Sequence, residues 1–211
     1  MNIAVGAAVG VAMTPIVYWL AKQLRTTTAR IPRTPMATVV LTAACAVAGA
    51  SVATLSGTTT IIAYAVFAFG VLTVALVDAI ERRIPNRITY PLFAVGVLGL
   101  PWLTSPITTW ALLGPLTGAV VSGCIGLLNA VLADQGLGDI KLAAVIGAWT
   151  AHLGVLPWIT GTLLCQLLMI AAICGNQLRR RRVGLPPDYT PLGPSLAGGA
   201  VLAVAAAGLA F

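Results

Sequence analysis

Apolar residues fall in long runs along this chain, and short polar stretches separate the runs. A helix needs about 20 largely apolar residues to cross a bilayer, with about 17 to 25 tolerated. By that measure spans are predicted over residues 3–21, 36–55, 61–80, 91–103 and 109–133. Residues 142–174 are too long for one span, and Gly154 with Pro157 marks a turn that makes a short sixth and a fuller seventh. An eighth covers 192–211. The runs lack the alternation of barrel strands, so helices are the expected element. The fold class is therefore all-α, a polytopic transmembrane helix bundle of about eight spans, with residues 1–211 as one membrane-embedded domain.

The connecting segments carry the topology. Basic loops are expected at 22–35, 81–90 and 179–182 and a polar, Gly-rich loop at 134–141, while the link 56–60 has no charge. All twelve basic residues lie in four clusters: Lys22, Arg25, Arg30 and Arg33; Arg82, Arg83 and Arg87; Lys141; and Arg179 to Arg182. With eight spans, every cluster lands on one face, which the positive-inside rule makes cytoplasmic, with both termini outside. One span over 142–174 would split Lys141 from the Arg179 cluster.

Composition agrees. Of 211 residues 59% are hydrophobic and 8% charged, against about 25% charged in soluble domains. The net charge of +7 follows from topology, so nucleic acid is excluded as a partner, and membrane lipid is the implied surroundings. Cys45, Cys124, Cys165 and Cys174 lie in apolar segments and form no C-x-x-C pair, which argues against a zinc or disulfide framework. No cleavable signal peptide pattern is present, since the first basic residues follow the first apolar run. Gly6 with Gly10, and Gly114 with Gly118, make G-x-x-x-G steps that allow close helix packing.

Five acids exist: Asp78, Glu81, Asp134, Asp139 and Asp188. Asp78 sits near the predicted cytoplasmic end of span three, and Asp139 at the cytoplasmic start of span six. They share a membrane depth although far apart in sequence. Taken alone, Asp78 reads as a snorkelling acid paired with Arg82 on the same helical face. Asp139 alone reads as a helix cap. As a pair they suit acid–base chemistry. Two carboxylates in one site cannot both ionise easily, so one can take a proton from attacking water while the other donates to the scissile carbonyl. No metal and no cofactor are required. Glycines 136 and 138 are expected to form a turn of unusual dihedrals that lets backbone approach the substrate. Lys141 either helps hold Asp139 ionised or is a solvated lysine of the inner face.

The run Gly136-Leu137-Gly138-Asp139-Ile140-Lys141 resembles the G-x-G-D-x-K signature of type IV prepilin peptidases. Asp78, followed seven and eight residues later by Pro85 and Asn86, is similar to the family's first aspartate motif. Pro191-Leu192-Gly193-Pro194-Ser195-Leu196-Ala197 is similar to its P-F-G-P-x-L-A element, with Leu192 in place of Phe. The resemblance implies that Asp78 and Asp139 are the catalytic pair of an aspartic endopeptidase. Pro85, Asn86, Gly136, Gly138 and Lys141 would then shape the site. It also implies a bacterial inner-membrane enzyme that cuts basic leaders from prepilin or pilin-like precursors at the cytoplasmic face, serving a type IV pilus or protein secretion. Bifunctional members carry a large first cytoplasmic loop, with paired cysteines in many, and methylate the new N-terminus. Here the loop at 22–35 is short and has no cysteine, so the expectation is a peptidase alone.

Other polar residues are read more simply. His152 is placed on the outer side, away from the aspartates. Trp102, Trp110, Trp149 and Trp158 read as an outer aromatic belt. Asn129 suits a hydrogen bond between helices or contact with substrate. Asp134 is read as a loop acid. The rival functions are a transporter or channel using both aspartates as an ion or proton site, and a scaffold that only packs against partner helices. The sequence does not specify oligomeric state.

Overall fold

The computed structural model describes residues 2–26, 35–103, 109–133, 136–184 and 190–209. Among these residues every regular element is helical: α1 (Ile3–Leu24), α2 (Pro35–Ala53), α3 (Thr58–Glu81), α4 (Asn86–Ala94), α5 (Leu100–Leu103), α6 (Thr109–Ala133), α7 (Leu137–His152), α8 (Val155–Arg182) and α9 (Gly193–Leu209). A widened π turn, Val95–Gly99, joins α4 to α5 without a break. Five helices, α1, α2, α3, α6 and α8, are long and apolar enough to cross a membrane.

Local chemistry sets the boundaries. The Asn2 side chain accepts the Ala4 N–H at 2.9 Å and starts α1. Gly154 turns α7 into α8 with φ 129°, a value that glycine tolerates. Pro157 falls in the first turn of α8, where its missing N–H costs no helix bond. The expected break between spans six and seven is thus present.

Three boundaries differ most from expectation. α4 begins at Asn86 and carries Pro91 inside it, rather than starting at Pro91. Residues 137–141 are the first turn of α7, not a loop. The four arginines 179–182 form the last turn of α8, not a loop. Basic side chains there meet the negative end of the helix dipole, which favours continuing the helix.

Both G-x-x-x-G steps pack as close contacts. A methyl on Gly6 or Gly10 would strike the α2 backbone at Gly49 or Cys45, and one on Gly118 would strike Gly147 of α7. The core is centred on Trp149, which is fully buried. Its ring stacks on Phe67 at 4.7 Å and meets Tyr64 edge-on at 5.3 Å. Its indole N–H donates to the Leu92 carbonyl at 2.8 Å, just before the π turn, and Tyr64 O–H donates to the Trp149 carbonyl at 2.7 Å. Trp149 is therefore not part of an aromatic belt, because those neighbours satisfy both its polar atoms and its ring inside the bundle. Trp102 is exposed, as a belt requires, whereas Trp110 and Trp158 donate their indole N–H groups to Ala151 and Ser122 of neighbouring helices.

Cross-links place the helix ends. Arg83 Nη2 donates to the Leu24 carbonyl at 3.4 Å, so α1 and α3 finish at the same end of the bundle. Asn176 donates to Thr190 at 2.8 Å and brings the close of α8 to the start of α9. Every described basic cluster lies at this end. His152 lies at the other, beside Thr54, Thr60 and Trp110.

Candidate active site

At the basic end, the last turns of α1 and α3, the start of α4 and the start of α7 enclose a cavity of about 670 Å3. Asp78, Pro85, Asn86, Gly136, Gly138, Asp139 and Lys141 all line it. Both aspartates are nearly fully buried, Asp78 at 1% exposure and Asp139 at 3%.

Asp78 is held by three local facts. It sits one turn before the end of α3, where the dipole is unfavourable to a carboxylate. The helix ends because Arg82 adopts a left-handed backbone, φ 53°, and donates its N–H to the Asp78 carbonyl at 2.8 Å. Arg82 is thus the C-cap of α3 rather than a residue of its regular turns. The Asp78 side chain instead accepts the Gly193 N–H at 2.8 Å through Oδ2. A bond of this kind fixes the orientation of the carboxylate.

Asp139 is the third residue of α7. Its N–H donates to the Gly136 carbonyl at 3.0 Å. The cap position belongs to Gly136, so Asp139 is not the cap, although a first-turn acid is favourable there. Gly136 has an extended backbone, φ −69° and ψ 146°, and Gly138 is helical. The expectation of unusual glycine dihedrals is not met. What Gly138 supplies is space: a Cβ there would lie 3.2 Å from the Ile84 Cβ, tighter than ordinary contact.

That contact joins the two motifs. Ile84 and Pro85 form a buried turn, and the Pro85 carbonyl accepts Thr89 Oγ1 at 3.0 Å in the first turn of α4. Next to it, Lys141 Nζ donates to Asn86 Oδ1 at 3.4 Å and stands 5.5 Å over the Tyr90 ring. Lys141 therefore ties α7 to α4.

Sequence reasoning missed Glu81. Its side chain is 2% exposed and lies 3.8 Å from Arg25 Nε and 4.0 Å from Arg83 Nε. It also accepts the Thr26 N–H at 3.1 Å and fastens the end of α1 to the rim of the cavity. An acid alone among loop arginines was the only sequence signal for it. Asn129 donates to Gln166 at 3.0 Å, which makes it a bond between α6 and α8. Asp134, and residues 27–34 of the first basic loop, lie outside the described residues.

Comparison with known proteins gives the same direction. Over 151 residues, 64% of the chain, the sequence is 30% identical to a prepilin leader peptidase/N-methyltransferase of Burkholderia pseudomallei strain 1026b. A protein of the same description from strain K96243 matches equally. The aligned region covers 44% of those relatives, so the chain spans less than half their length. No solved structure matches the chain. Residues 65–175, which contain the Asp78 and Asp139 motifs, match the type IV leader peptidase family, and the chain belongs to that family.

Proposed function

We propose that this chain is a membrane-embedded aspartic endopeptidase that removes the basic leader from type IV prepilins or pilin-like precursors. The observation that carries this reading is that two buried aspartates from separate helices line one cavity. The pair shares its protons as a unit. Its ionised member draws a proton from water as the oxygen attacks the scissile carbonyl, and its protonated member donates to the carbonyl oxygen. Collapse of the tetrahedral intermediate breaks the C–N bond, with a proton passed to the leaving amine.

In this reading the bundle crosses the bacterial inner membrane about eight times as a single domain. Its basic end, with the cavity, faces the cytoplasm by the positive-inside rule. The substrate's apolar helix stays within the bilayer while its leader reaches the cavity. An ion-transport reading gains nothing from the placement of the acids, since both lie within a turn of a helix end. The activity is cleavage without methylation.

The purified protein, incubated in detergent with a prepilin, is expected to release the leader. Adding S-adenosylmethionine as methyl donor is expected to leave the new N-terminus unmethylated. An intact prepilin at enzyme excess contradicts the peptidase reading, and a methylated product contradicts the restriction to cleavage.

A further inference from the structure

A second, apolar groove of about 650 Å3 runs between α1 and α2 on one side and α3 and α4 on the other. Val9, Met13 and Leu20 of α1 and Ile62 and Val66 of α3 line it, and Arg87 of α4 closes its basic end. Along α1 it extends from Gly6 to Leu20, about 21 Å at 1.5 Å per residue. That is some two thirds of a hydrocarbon core about 30 Å thick. Its wall is open, with Ile62 and Val66 each 59% exposed.

The groove is continuous with the aspartate cavity. Arg87 lines both. On α1, Leu20 of the groove is followed by Leu24 of the cavity, four residues on and so on the same helical face. An apolar helix lying in the groove is thus led at its basic end to the two carboxylates. Taking the proposed peptidase activity as its basis, we propose that this groove is the docking site for the substrate's transmembrane helix. The helix packs its apolar side chains on Val9, Ile62 and Val66, and the chain beyond it passes Arg87 into the cavity. Continuity with the cavity favours a peptide over a phospholipid, because only a peptide uses the connection.

The test is disulfide trapping in the full chain, with Cys124→Ser and Cys174→Ser removing the exposed thiols. Ile62→Cys and Val66→Cys, each oxidised with a prepilin carrying one cysteine in its apolar helix, are expected to give adducts. Leu167→Cys, equally open at 62% exposure but on α8 outside the groove, is expected to give none. In parallel, Val66→Trp is expected to raise KM for prepilin several-fold with kcat held, while Leu167→Trp leaves both in place. Adducts at Leu167→Cys as strong as those in the groove overturn the proposal. So does an unchanged KM in Val66→Trp together with loss of a co-purified phospholipid, which identifies a lipid site instead. If the cysteine variants cut prepilin but no groove position traps it, docking fails and the peptidase reading stands. If the wild-type chain cuts no prepilin, the peptidase reading itself fails.

Discussion

The Gly193 N–H, at the first residue of α9, donates to Oδ2 of Asp78 at 2.8 Å, so the C-terminal element of the chain orients the first aspartate. The same residue leaves no spare space. A Cβ on Gly193 would lie 2.9 Å from that oxygen and 2.9 Å from the Asp78 Cβ. Gly193→Ala keeps the donor but pushes the carboxylate or α9 aside. Misplacement on the order of 1 Å can cost roughly 100-fold. Cleavage is expected to fall by about that factor while the protein still inserts, as read by leader release per unit of membrane protein. Full activity in Gly193→Ala would show that the position of Asp78 is not critical.

Lys141 and Asn86 link α7 to α4 beside the cavity. Each of Lys141→Ala and Asn86→Ala is expected to slow cleavage several-fold, and the double variant is expected to be little worse than either. Groups in one contact are non-additive in this way. Rate losses that simply multiply in the double variant would mean that the two side chains act separately.

Arg82 has a left-handed backbone, a conformation that costs an L-residue roughly 1–2 kcal/mol. Arg82→Gly and Arg82→Ala remove the same side chain, but only glycine relieves the backbone. Thermal stability in detergent is expected to be higher for Arg82→Gly than for Arg82→Ala, by about 1 kcal/mol once glycine's greater freedom in the unfolded chain is counted. Equal stability would place the strain elsewhere.

Trp149 tests the core apart from the chemistry. Trp149→Phe keeps an aromatic ring against Phe67 and Tyr64 but leaves the Leu92 carbonyl without its indole donor. That carbonyl keeps the Val95 N–H, so the loss is one hydrogen bond, worth about 0.5–1.5 kcal/mol. The variant is expected to be less stable by that amount, and so to melt earlier, while its kcat for leader release is retained. A collapse of kcat with unchanged stability would contradict this division.

The fold was legible because its signal is length and apolarity, which need no tertiary information. Residues 109–133 were read to the residue as α6. The start of α7 was misread because glycines at 136 and 138 look like a loop, whereas Gly138 is there for its close approach to Ile84. Trp149 was misread for a related reason: depth in the membrane can be counted along a helix, but the face a side chain takes depends on neighbours such as Phe67. In the site, the aspartates stood out because acids are rare here. Glu81 did not, and Gly193 showed only as one position of the C-terminal element, because their contacts with Thr26 and Asp78 are distant in sequence.

In the proposed mechanism Asp78 and Asp139 act together on one peptide bond. The most direct measurement is leader cleavage of a co-expressed prepilin by gel shift, comparing the wild-type chain with Asp78→Asn and Asp139→Asn at matched membrane levels. Asparagine keeps the shape of each side chain and removes its acid. Cleavage by the wild type and none by either variant is the expected result. Cleavage that persists in one variant removes that aspartate from the mechanism, and persistence in both rules out the aspartate pair as the catalyst.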